Sequence, residues 1–119
     1  WQYYYEERLW GSFYNLFEAD HIKVKELIVN SGQGMSFQKH LQRNEIWLVS
    51  QGSCVVNYSK GDPDSRESIT LNKFDKYSIP QGEWHQITNP FKEECHIIEI
   101  QYGKEVIEDD IERLDYYKP

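Results

Sequence analysis

The chain lacks any uninterrupted apolar stretch near the ~18 residues that a membrane-spanning helix needs. It carries no visible secretory leader and no internal repeat or low-complexity segment. It starts at Trp1 rather than at Met, as expected of an excised domain. Cysteine is scarce, with only Cys54 and Cys95, so no disulfide framework holds the fold. Each lies in a strand-like apolar run, and both are expected as buried free thiols of a cytoplasmic protein. Positive charge is also short: 13 Lys and Arg face 20 Asp and Glu, for a net charge of −7. Such a surface repels nucleic acid and anionic membranes, so neither is an expected partner. An anionic small molecule would need a local cluster of cations to overcome that field. Helical periodicity is nearly missing. Only Glu108 to Tyr117 reads as able to form a short helical turn.

Aromatic and β-branched residues are plentiful, with nine Tyr, five Phe and four Trp in 119 residues. Short strand-like runs follow one another with turn residues between them. They cover Trp10–Leu16, Ile22–Val29, Phe37–His40, Glu45–Ser50, Ser53–Tyr58, Ser68–Leu71, Lys76–Ile79, His85–Thr88 and His96–Tyr102. Breaks fall at 30–34, Gln51-Gly52, 60–65, Pro80-Gln81-Gly82 and Asn89-Pro90. This rhythm predicts one all-β domain over 1–119, an antiparallel sandwich or barrel.

Two clusters within that rhythm carry metal-ligand chemistry. The first runs from Gly32 to Gly52 and contains Gln38, His40 and Glu45. The second runs from Pro80 to Asn89 and contains His85. Residues two apart on a strand face the same side, so Gln38 and His40 project together. Glu45 opens the next strand after the turn 41–44. The Pro80-Gln81-Gly82 turn delivers His85, which only closure of a barrel brings to the other three. Two imidazoles, a carboxylate and an amide oxygen, without thiolate, suit one divalent ion. Zn is expected first, with Mn, Co, Ni or Fe as alternatives. His21 and His96 lack such partners and are read as non-ligands.

At these residues the chain resembles the cupin superfamily. The resemblance is closest to the type II mannose-6-phosphate isomerase domain, which occurs fused to mannose-1-phosphate guanylyltransferase. It rests on Trp10-Gly11-Ser12-Phe13, Lys23-Val24-Lys25, and the run Gln38, His40, Arg43, Glu45 and Trp47. It continues in Ile79-Pro80-x-Gly82-x-x-His85, Asn89-Pro90, Ile98-Glu99-Ile100-Gln101, and Glu108-Asp109-Asp110-Ile111 with Arg113. The family often carries histidines at three positions that are Leu41, Gln42 and Ile46 here, none of them an expected ligand. The resemblance implies a double-stranded β-helix, a jelly-roll-like barrel with little helix. It implies interconversion of mannose 6-phosphate and fructose 6-phosphate in carbohydrate metabolism. A metal- or sugar-binding cupin without turnover and an enzyme acting on a nucleotide sugar are the alternatives.

Isomerisation needs a polarised carbonyl, a base near the sugar C2 and a cation for the phosphate. Glu99, sharing a strand face with Ile97 and Gln101, is a candidate base; the alternative is a structural carboxylate paired with Lys or Arg. Arg43 and Lys25 are candidates to hold the phosphate of a sugar phosphate; the alternative is ordinary solvated charge. The aromatic ends, Tyr3 to Tyr5 and Tyr116-Tyr117, are expected to cover one barrel mouth or to form the interface of a homodimer.

Overall fold

Alternation of side chains along strands sets up the interior. The protein was analysed as a computed structural model that describes residues 3–118. Its strands are β1 (Tyr4–Arg8), β2 (Gly11–Ala19), β3 (Ile22–Val29), β4 (Phe37–Lys39), β5 (Arg43–Gln51) and β6 (Cys54–Ser59). They are followed by β7 (Glu67–Leu71), β8 (Lys76–Ile79), β9 (Trp84–Thr88), β10 (Cys95–Gly103) and β11 (Glu112–Asp115). There is no helix among the described residues, and so none long and apolar enough to cross a membrane. A six-stranded antiparallel sheet in the order β1-β2-β3-β10-β5-β8 faces a five-stranded one in the order β11-β4-β9-β6-β7. The all-β expectation from strand rhythm is therefore met.

The register of the larger sheet divides the barrel interior into two halves. Ile97 on β10 lies opposite Leu27 on β3 and Val49 on β5. These join Val29, Cys54, Val56, Ile87 and Cys95 in a dry apolar half. Two residues further along β10, Glu99 lies opposite Lys25 and Trp47, and then Gln101 lies opposite Lys23 and Glu45. Because each step of two keeps the same face, this second half of the interior is lined by buried polar and charged groups. Leaving them unpaired would cost far more than the apolar half gains per residue, so their partners define a site. Cys54 and Cys95 are free and buried in the apolar half.

The expectation of a helical turn over Glu108 to Tyr117 is corrected. Glu112–Asp115 is strand β11, laid along β4 with Glu112 opposite Lys39 and Arg113 opposite Gln38. The free edge of β4 offers unpaired backbone groups, and Lys39 and Glu112 pair at 3.3 Å across it. Edge pairing thus outweighs local helical preference in a polar segment. The opening Tyr4–Arg8, which has no clear sequence pattern, also pairs as an edge strand, on β2.

Candidate metal and ligand site

The two ligand clusters meet through backbone bonds as well as through topology. Gly82 holds φ at +79°, a left-handed conformation that glycine adopts without penalty. Its N–H donates to the carbonyl of His40 at 2.7 Å. The tight turn is thereby pinned to the end of β4, and His85, three residues on, enters β9 opposite Gln38. Asn89 ties down the other end. It is fully buried, and its backbone exchanges bonds with Gly32 and Gln33 at 2.7 Å each.

The structure brings His40, Glu45 and His85 together, with one potential ligand atom from each lying within 4.8 Å of the others. His40 Nε2 is 3.0 Å from Glu45 Oε2, and His85 Nε2 is 4.0 Å from Glu45 Oε1. All three are at most 3% exposed. Their outer atoms are fixed by the protein. His40 Nδ1 lies 2.6 Å from the Asp110 carbonyl, and His85 Nδ1 lies 3.0 Å from the Glu83 carbonyl. A carbonyl can only accept, so both Nδ1 atoms carry hydrogen and both Nε2 atoms face Glu45 as acceptors. His85 Nε2 is buried with no hydrogen-bond partner. Burial pushes the His85 pKa down to about 4, mainly by desolvation, so the ring is neutral and its lone pair is available. Burial alone would raise the Glu45 pKa. Its close contacts with His40, His85 and the Arg43 guanidinium outweigh it, and the carboxylate is held well below its usual range. An orphaned imidazole nitrogen, a second imidazole and an ionised carboxylate are a donor set that fits a divalent ion.

Gln38 stands on the same inner face, directly opposite His85, and lines the adjoining cavity. Its Oε1 accepts from Ser36 Oγ at 3.1 Å. His21 and His96 lie outside the cluster; His96 sits between Glu26 and Glu94 at 3.4 and 3.0 Å. Leu41 and Gln42 are exposed, and Ile46 alternates with Glu45 and Trp47. The replaced family histidines therefore remove no group from the inner face of β5.

A cavity of about 830 Å³ opens beside the cluster, within the range of small-molecule sites. Gln38, Arg43, Lys25, Glu99 and Gln101 all line it. Arg43 is buried. Its Nε donates to Glu45 Oε2 at 3.1 Å, and its Nη2 lies 3.1 Å from both that oxygen and His40 Nε2. Its Nη1 donates to the Ile107 carbonyl at 3.3 Å. Lys25 is also buried, so neither cation is ordinary solvated charge. Glu99 is 5% exposed and accepts from Trp47 Nε1 at 3.1 Å and Gln101 Nε2 at 2.6 Å. Desolvation, aided by the nearby Glu45 charge, pushes its pKa up to about 8.

Three contributors were not assigned roles from sequence. Trp47 stands in the quoted motif, but its double hydrogen bond depends on β10 lying beside β5. Lys23 shares Lys25's face, a relationship that alternation alone could have given. Asp110 caps the Leu41 and Gln42 amides at 2.9 and 2.8 Å while its carbonyl orients His40. Only the return of the C-terminal segment across the barrel reveals that contact.

This double-sheet barrel with an inward His, Glu and His cluster is a cupin. Among solved structures it superposes on the capsular polysaccharide assembling protein CapF from Staphylococcus aureus with a TM-score of 0.85. That match has 21% identity and covers 97% of this chain and 35% of the other. The Schizosaccharomyces pombe Cnp3 cupin domain gives 0.70 at 15% identity, covering 78% and 64%. Residues 2–116 match the family described as mannose-6-phosphate isomerase C-terminal, and the chain belongs to that family. A mannose-1-phosphate guanylyltransferase from Salmonella muenchen is 34% identical over 108 residues, 91% of this chain and 22% of the relative. The alginate biosynthesis protein AlgA from Pseudomonas aeruginosa is 33% identical over 108 residues, 91% and 21%. The chain thus spans about a fifth of the length of these curated relatives.

Proposed function

We propose that this domain is a cytoplasmic, metal-dependent aldose–ketose isomerase of sugar phosphates, interconverting mannose 6-phosphate and fructose 6-phosphate. The observation that carries this reading is the pairing of Glu45 and Glu99. They are two buried carboxylates beside one cavity, with Trp47 donating to both and their pKa values pushed in opposite directions. Such divergence separates a permanently charged ligand from a group that exchanges a proton near neutral pH. Membership of the isomerase C-terminal family supports the same reaction.

Gln38, His40, Glu45 and His85 would hold one divalent ion, Zn first and Mn, Co, Ni or Fe as alternatives, which would polarise the sugar carbonyl. Glu99, when ionised, removes the proton from C2 of the aldose. The C–H electron pair becomes the C1–C2 double bond of an enediol, and the carbonyl pair moves onto O1, which gains a proton. Collapse from the O2 side, with loss of its proton, returns the carbon-bound proton from Glu99 to C1. Lys25 and Arg43 supply positive charge for the phosphate. Arg43 also braces Glu45, so its loss affects both ends of the site.

The experiment is an assay of the metal-replete protein with mannose 6-phosphate, run beside Glu99→Gln. Conversion by the wild type, with kcat reduced about a hundredfold or more in Glu99→Gln at unchanged metal content, supports the reading. A second reading is favoured by the names of the relatives. In it, the domain binds metal or sugar without turnover, or acts on a nucleotide sugar, within a larger guanylyltransferase. Metal retention without conversion of any sugar phosphate would select it.

A further inference from the structure

On the cavity wall, Lys25 stands beside a second buried lysine that the proposed reaction does not use. Lys23 and Lys25, both on the inner face of β3, are only 8% and 6% exposed. Buried lysines are rare and need close counter-charges. One oxygen serves both: Glu108 Oε1 lies 3.3 Å from Lys23 Nζ and 3.1 Å from Lys25 Nζ. Lys23 also meets Glu18 Oε1 at 3.4 Å, and Lys25 sits 4.4 Å over the Phe13 ring. The side chain of Glu108 is 67% exposed, whereas those of Lys23 and Lys25 are 10% and 7% exposed. The glutamate therefore reaches in from the mouth while the ammoniums form the wall.

We infer that Lys23 and Lys25 form a phosphate subsite and that Glu108 fills it in the free protein as an internal stand-in for the ligand. This rests on the sugar-phosphate reading above and adds the location of the phosphate and what guards it. A single carboxylate brings one negative charge to two ammoniums, whereas a phosphate monoester brings nearly two and three acceptor oxygens. The backbone around Glu108 is anchored independently: the Ile107 carbonyl holds Arg43, and Asp110 holds His40, Leu41 and Gln42. Rotation of the Glu108 side chain toward water empties the subsite without moving those anchors.

The neighbouring wall indicates the rest of the ligand. Asn15 lies opposite Lys25 on β2, and Gln101 lies opposite Lys23 on β10. Both line the cavity, and Asn15 Oδ1 and Gln101 Oε1 are buried acceptors without a hydrogen-bond partner. Unsatisfied acceptors beside a dianion subsite call for hydroxyl donors. The ligand class is a polyhydroxylated phosphate monoester.

The test is calorimetric titration of the intact protein, metal-stripped so that phosphate has no metal to bind, with inorganic phosphate, a hexose 6-phosphate and the free hexose. Glu108→Gln should tighten binding of both phosphates about tenfold, because a competing charge leaves. Lys25→Met should abolish phosphate binding while keeping a cooperative thermal transition. The hexose phosphate should bind more tightly than inorganic phosphate. Unchanged or weaker phosphate binding in a Glu108→Gln protein that keeps the wild-type cooperative thermal transition overturns the inference. So does the absence of phosphate binding by wild type and Glu108→Gln alike. If phosphate binds in the expected pattern but no sugar phosphate is isomerised, the reaction falls and the subsite stands. If isomerisation occurs and Glu108→Gln has no effect on phosphate binding, only the subsite falls.

Discussion

Glu45 and Glu99 accept the same hydrogen. The indole Nε1–H of Trp47 lies 3.1 Å from an oxygen of each, in the fully buried polar half of the barrel. One donor shared by two carboxylates holds them close, where two like charges would repel. The protein resolves this by keeping Glu45 ionised among His40, His85 and Arg43 and letting Glu99 take a proton. Trp47→Phe removes the donor without emptying the space. It should lower stability by about 1–3 kcal/mol in urea unfolding and weaken metal retention, because Glu45 loses a fixed contact.

Glu99 gives the pH dependence its sign. Its folded pKa of about 8 lies above the ordinary carboxylate value, so the folded protein binds the extra proton between the two. That contribution to stability is fully present below about pH 4.5 and is lost as pH rises through about 8, at no more than ~1.4 kcal/mol per pH unit. In the metal-stripped protein, urea midpoints of wild type should fall across that window relative to Glu99→Gln. Parallel curves for the two proteins would count against a buried, protonated Glu99.

His85 and His96 separate the site from the surface. His85→Ala should abolish retention of a divalent ion measured by elemental analysis after desalting. His96→Ala, whose ring sits between Glu26 and Glu94 outside the cluster, should retain it. Equal retention in both variants would remove His85 from the ligand set.

Gly82 tests how the second cluster is positioned. A Cβ there meets nothing within 4 Å, so Gly82→Ala costs only the left-handed backbone penalty, about 1–2 kcal/mol. Thermal denaturation should show that loss, with metal retention weakened because the turn carries His85 and bonds to the His40 carbonyl.

The convergence of His40, Glu45 and His85 was foreseeable in the sequence because strand alternation and turn chemistry set which residues share a face. Gln38 with His40, and Glu99 with Gln101, needed nothing more. The neighbours of β10 were not legible, since no local pattern says that it lies between β3 and β5. The opposition of Glu99 to Lys25 and Trp47 follows only from that order. The tail misled for a related reason. Residues 112–115 have little strand character alone and become a strand by pairing with the β4 edge.

The homodimer expected from the aromatic ends is open to test at strand β1. Strand β1 is an edge strand whose flank exposes Tyr4 at 58% and Leu9 at 98%. Sedimentation of the wild type should report a dimer, and Leu9→Lys should shift it toward monomer. A monomer at micromolar concentration would show that these side chains serve the cavity mouth alone.

NMR of mannose 6-phosphate incubated with the protein tests whether it carries out metal-dependent isomerisation. Fructose 6-phosphate should form with the metal-replete protein, not after chelation, again on adding back a divalent ion, and not with Glu99→Gln. Failure of the metal-replete protein to convert mannose 6-phosphate or any other hexose phosphate would contradict the isomerase reading.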